Sequence, residues 1–183
     1  KGTVMEDVRE ILMPEKRGGA FSGQEGKSKK RLQNLGDCEL EINSSSGLVR
    51  IKSDDSVRLY FMKEVVRAVA RGFNPSTASL LLKQDYLLEV LDLREYVADS
   101  HVPRVKGRII GKNGRAREVI EELTETYVSV SGRRVSIIGR AERMGMAHKA
   151  VEDLIDGRPH GSVYKYLEKH RQRLERERML DSI

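Results

Sequence analysis

Cys38 is the only cysteine in 183 residues. No disulfide can close within the chain, and no thiol cluster can hold zinc. That scarcity fits a reducing compartment, and the expected localisation is cytoplasmic. Tryptophan is absent and aromatic residues make up 5 % of the chain. This counts against nucleic-acid readers that stack bases on aromatic rings exposed on a sheet. No apolar run is long enough to cross a bilayer, and no charged-then-apolar leader opens the chain, which begins at Lys1. No membrane partner is therefore expected. The histidines are His101, His148, His160 and His170. None stands at a metal-ligand spacing from another histidine, from Cys38 or from a carboxylate. Gly26-Lys27-Ser28 ends like a phosphate-binding loop, but Phe21 stands where that motif needs its first glycine. The acidic stretch Asp85, Glu89, Asp92, Glu95 and Asp99 reads as a solvated edge or a docking surface for a basic partner. No cofactor, no metal and no catalytic residues are expected, and the chain reads as a binding protein rather than an enzyme.

What the chain does have is basic charge and a repeat. Its 34 lysines and arginines exceed its 28 acids, for a net charge of +6. That balance favours a polyanion such as nucleic acid. Gly23-Gln24-Glu25-Gly26 is followed by Lys27, Lys29, Leu32 and Leu35. Gly111-Lys112-Asn113-Gly114 is followed by Arg115, Arg117, Ile120 and Leu123, each 88 positions after its counterpart. Leu40 and Ile42 then alternate with acids, as Val128 and Val130 alternate with serines, which is the period of a half-buried strand. Each copy turns through Gly47 or Gly132 into a second alternating strand. A helical stretch closes each: Val57, Phe61, Val65, Ala68 and Val69 in one, Met144, Ala147, Val151, Leu154 and Ile155 in the other. Apolar segments at 8–13 and 87–93 predict a strand ahead of each glycine pair, with a short helix over 14–20 and 103–110 between.

The unit is therefore strand, helix, glycine loop, helix, strand, strand, helix. It predicts an α+β fold in which each copy packs a three-stranded antiparallel sheet against three helices. The expected division is a first module at 1–73, a connector helix at 74–86 capped by Asn74, a second module at 87–158, and a charged C-terminal helix at 159–183. In that tail Val163, Leu167, His170 and Leu174 share one stripe, suited to docking or to a solvated helix.

Paired glycines between two helices let a backbone come close to a ligand, and the following helix aims its first N–H groups there. From Arg104 to Arg117 the chain carries six basic residues and no acid. Lys112 and Asn113 are expected to touch phosphate and sugar from the loop, between Gly111 and Gly114. Lys106, Arg108, Arg115 and Arg117 are expected to attract the RNA backbone. Ile109 and Ile110, with Val128 or Val130, are expected to floor the groove under the bases. The first copy makes a weaker second site of Gly23, Gln24, Gly26, Lys27, Lys29 and Lys30. Glu25 puts a negative charge where a phosphate would sit, and Ser22 replaces the apolar Ile110.

The run Val105-Lys106-Gly107-Arg108-Ile109-Ile110-Gly111-Lys112-Asn113-Gly114 resembles the signature of a KH domain, and the element order resembles its type I arrangement. The tandem copies, together with Pro159-His160-Gly161-Ser162-Val163-Tyr164-Lys165-Tyr166-Leu167-Glu168, resemble the archaeal pre-ribosomal KH proteins and their eukaryotic partner-of-Nob-one relatives, over roughly residues 8–174. The resemblance implies two type I KH modules, the first often degenerate. It also implies single-stranded RNA binding near the 3′ end of the small-subunit rRNA precursor during ribosomal small-subunit assembly. The partners it implies are a PIN-domain endonuclease and the alpha subunit of initiation factor two. The other reading of the residues is an RNA-binding subunit of an RNA-degradation or other RNA-processing complex.

Overall fold

The computed structural model describes residues 7–43 and 45–181; the ends of the expected first module and of the tail, at 1–6 and 182–183, lie outside them. The elements run β1 (Asp7–Leu12), α1 (Glu15–Ser22), α2 (Lys27–Gly36), β2 (Glu39–Asn43), β3 (Leu48–Ser53), α3 (Ser56–Ala70), α4 (Pro75–Ala78), β4 (Tyr86–Asp92), α5 (Val102–Ile110), α6 (Arg115–Thr124), β5 (Tyr127–Ser131), β6 (Arg134–Arg140), α7 (Ala141–Ile155) and α8 (His160–Asp181). The chain divides into two compact units between Leu88 and Glu89, inside β4.

Both units place the last strand in the middle of a three-stranded sheet, in the orders β1-β3-β2 and β4-β6-β5. In the first, β1 and β2 each run antiparallel to β3, so that Leu40 pairs with Ile51 and Ile11 with Val49. In the second, Val128 pairs with Ile137 in the same way. The alternation decides which face is covered: Val49 and Ile51 are buried, while Arg50 between them is exposed and bonded to Glu10. Phe21 and Ile109, 88 positions apart, are both wholly buried just ahead of their glycine loops. They pin the first helix of each unit to its sheet.

Most of the two helical stripes face inward. In α7, Met144, Ala147, Val151, Leu154 and Ile155 are buried together with Val163 and Leu167 of α8. In α3 the expected stripe needs correction at its start, where Phe61 is only half-buried. Val65, Ala68 and Val69 are buried, but Val57 is 58 % exposed. Val57 lies in the first turn, where its N–H is held by the Asp55 carboxylate at 2.8 Å, and it faces away from the buried side of the helix, which begins with Leu59 two positions on. Asn74 caps α4 by accepting the Thr77 N–H at 2.8 Å, with Pro75 in the first turn. Among the described residues, no helix is long and apolar enough to cross a membrane.

Candidate nucleic-acid interface

The site is built by the abrupt end of α5. Val102, Val105 and Ile109 face the core at helical spacing. Gly111 then adopts φ 73° and ψ 174°, a region that essentially only glycine occupies. A Cβ there would stand 2.6 Å from both the Cβ and the amide nitrogen of Ala116. The loop thus folds back against the start of α6 more closely than any side chain permits. Asn113 (φ 54°) and Gly114 (φ 81°) complete the turn in the left-handed region, which asparagine tolerates better than most residues. Gly114 supplies no side chain to cap α6. The Arg115 N–H is taken up by the Lys112 carbonyl, and no side chain caps the N–H groups that follow it at the positive end of the helix dipole, a setting that suits an anion.

The side chains around this turn fall into three groups. Lys112 and Asn113 are exposed and make no side-chain ion pair or hydrogen bond among the described residues. Lys106 is half-buried on α5. Arg115 and Arg117 start α6 but are shared with acids: Arg115 lies 3.6 Å from Glu118, and Arg117 lies 3.8 Å from Glu121. The Arg117 Nε is buried and has no hydrogen-bond partner among the described residues. Glu121 is the residue that sequence reasoning missed. Burial raises its pKa, against the opposing effect of the Val128 N–H, which it accepts at 2.7 Å. This bond ties α6 to β5.

Three expected site residues are placed elsewhere. Ile109 is wholly buried and Val128 is 4 % exposed, so both belong to the core beneath the surface. Ile110 and Val130 are half-buried, and Val130 packs against the core. Arg108 is turned away from the loop. Its Nε donates to the Leu154 carbonyl at 3.0 Å and its Nη2 to the Arg158 carbonyl at 2.5 Å. It adds a side-chain donor at the C-terminal end of α7, where the Leu154 carbonyl also accepts the Gly157 N–H. Its own carbonyl meets the His160 Nε2 at 2.8 Å, at the start of α8. The first unit repeats this brace from another position: Arg17 of α1 donates to the carbonyls of Val69 and Phe73 at 3.0 and 2.7 Å. Val69 and Phe73 precede Leu154 and Arg158 by 85 positions each. Arg17 lies six residues before its loop glycine and Arg108 three before its own, one helical turn apart on the same face. The brace is thus a property of the fold.

The first loop has the same backbone and different charge. Gly23 (φ 68°), Glu25 (φ 54°) and Gly26 (φ 72°) reproduce the second loop's angles. Glu25 pairs with Lys27 at 3.4 Å and so cancels the first positive charge of α2. Lys29 and Lys30 remain on α2, and Gln24 is exposed. Among the described residues no cluster of His, Cys, Asp or Glu could hold a metal ion.

A model of the eukaryotic type KH-domain (KH-domain type I) matches residues 87–172. The pre-rRNA-processing protein pno1 of Aspergillus fumigatus is 31 % identical over 145 residues, which are 75 % of this chain and 58 % of that protein. The KH domain-containing protein MJ0443 of Methanocaldococcus jannaschii is 41 % identical over 184 residues, which are 97 % of this chain and 81 % of that one. The chain belongs to the archaeal PNO1-like family of KH-domain proteins. The solved complex of a/eIF2alpha, aDim2p and rRNA from Pyrococcus horikoshii OT3 is similar to this PNO1-like chain with a TM-score of 0.84 and 35 % identity, covering 92 % of it and 96 % of the matched chain. The rRNA and the initiation factor are partners of the protein in that complex. The chain spans little more than half the length of the fungal relative.

Proposed function

We propose that this PNO1-like protein binds single-stranded RNA through the Gly111–Gly114 loop, acting near the 3′ end of small-subunit rRNA during small-subunit assembly. In this reading it is two type I KH modules, at 1–73 and 87–158, joined by the connector at 74–86 and followed by the tail helix at 159–183. It works in the cytoplasm as a positioning factor without catalysis. The observation that carries the reading is the N-terminus of α6, which no side chain caps, beside a loop whose Lys112 and Asn113 have no side-chain partners among the described residues. Phosphate sits against the loop, Lys112 and Asn113 hold phosphate and sugar, and Ile110 and Val130 support the bases. Arg115, Arg117 and Lys106 add longer-range attraction. The relatives named for pre-rRNA processing and the neighbour solved with rRNA support the choice of RNA. The same neighbour supports the alpha subunit of initiation factor two as a protein partner. A PIN-domain endonuclease acting on the same RNA end is proposed as a second.

Fluorescence anisotropy tests this, using a short RNA matching the small-subunit 3′ end and a scrambled one at several salt concentrations. Replacing Lys112 and Asn113 together by Asp removes two contacts and adds two negative charges. Binding should weaken at least ~10-fold, with a shallower salt dependence. If the doubly substituted protein binds like the wild type, the loop is a turn and nothing more.

A further inference from the structure

The tail helix brings an aromatic pair to the edge of this loop. His160 and Tyr164 lie one turn apart at the start of α8, with ring centroids 6.0 Å apart. The His160 Nε2 is held on the Arg108 carbonyl, three residues before Gly111. Tyr164 is half-buried against the core of the second unit. Burial raises the pKa of its phenol, while the guanidinium of Arg115, the first residue after the loop, is near enough to act against that rise. The phenol oxygen has no hydrogen-bond partner among the described residues. In a chain with 5 % aromatic residues and no tryptophan, this is where rings come beside the loop.

Comparison with the first unit shows that the fold does not need them. Gly72 and Gly157 both turn with positive φ after the third helix of their units. A further helix then begins at Pro75 or at His160, 85 positions apart. α4 packs on α2 as α8 packs on α6. Pro75 stands in the place of His160, and Ser79 in the place of Tyr164. The first unit leaves there a cavity of about 250 Å³, lined by Leu32 together with Ser28, Arg31, Asn74, Pro75, Ser76 and Ser79. One unit thus keeps an open recess with no ring in it, where the unit with the basic, unpaired loop carries a phenol and an imidazole.

We propose that the first turn of α8 is a second wall of the RNA site, on which Tyr164, flanked by His160, stacks the base or sugar of the nucleotide next to the clamped phosphate. The inference rests on the reading of the Gly111–Gly114 loop as an RNA clamp. A stacked ring accepts any base and neutralises no phosphate. It adds affinity without adding to the salt dependence, which counts phosphate contacts.

The test uses the full chain and the same short RNAs. Tyr164→Leu keeps an apolar contact to the core and removes the ring; Tyr164→Phe keeps the ring. The leucine variant should bind roughly tenfold more weakly with an unchanged salt slope, and the phenylalanine variant within about twofold of wild type. With RNAs lacking one base at a time, the leucine penalty should vanish at a single position. If Tyr164→Leu binds like wild type while the Lys112→Asp, Asn113→Asp protein fails, the second wall is wrong and the clamp stands. If both bind like wild type, the clamp reading falls and this one with it. Should Tyr164→Leu fail to fold, Tyr164→Trp creates the chain's one tryptophan. Quenching of its fluorescence on RNA addition supports the stack, and unchanged emission at saturation overturns it.

Discussion

At the scale of single residues, the loop is a sequence of backbone angles before it is a set of charges. Gly111 and Gly114 both have positive φ, but their surroundings differ. A Cβ on Gly114 meets nothing within 4 Å, whereas one on Gly111 overlaps Ala116. Gly114→Ala should therefore cost about 1 kcal/mol, the penalty of a left-handed alanine. Gly111→Ala combines a glycine-only angle with a backbone clash and should cost about 3 kcal/mol or more. Urea unfolding of the two variants checks the order, and equal costs would contradict the geometry. In the proposed reading, the same angles suit the middle of the second loop to RNA twice over. Asn113 is at ease at φ 54° and neutral, while Glu25 is strained at the same φ and negative.

At the scale of elements, the two arginine braces and a histidine clamp hold the helices in place. Arg17 and Arg108 each give two charged hydrogen bonds to carbonyls at the end of the third helix of their unit. Replacing either by alanine should cost about 2 kcal/mol, read from denaturant midpoints. Arg108→Ala should leave the salt slope of RNA binding intact, because its guanidinium faces α7 rather than phosphate. A loss of slope equal to that of Lys112→Ala would return Arg108 to the binding surface. The spacing of the basic run placed Arg108 beside the loop, yet nothing local shows where its guanidinium points, since its partners lie 46 and 50 residues later. The His148 imidazole sits between Glu89 of β4 at 2.5 Å and Glu152 of α7 at 3.1 Å. Burial of the ring alone would lower its pKa, but the two carboxylates outweigh that and raise it above 6.5. The stabilisation is thus complete below pH 6.5 and is lost as pH rises through the folded pKa. Melting temperatures of wild type and His148→Gln should converge as pH rises from 6 to 9. A gap that stays constant would remove the histidine's charge from the account.

At the scale of the molecule, one fold occurs twice with opposite treatment of the loop. The repeat was legible because glycines and alternating apolar residues are constrained by backbone geometry, and geometry is what the copies share. The burial of Ile109 and Val128 was less legible. Adjacent apolar residues such as Ile109 and Ile110 carry no mark of which one faces the core until the helix is docked. The role of α8 was hidden for a similar reason: His160 and Tyr164 are close to the loop only through folding, 46 and 50 positions after Gly114 in sequence. The two loops differ in charge, with Glu25 paired to Lys27 in one and Lys112 unpaired among the described residues in the other. Glu25→Lys reverses the charge on a loop whose backbone already matches the second one. On an RNA just long enough for one clamp, affinity should stay near wild type, because the second unit already holds it. On progressively longer single strands a gain should appear, with the salt slope steepening by about 0.7 for each added phosphate contact. The length at which the gain begins measures how far RNA must run to touch both loops. A gain already complete on the shortest RNA would mean that the first loop binds independently, and no gain at any length would mean that its matched backbone is scaffold alone.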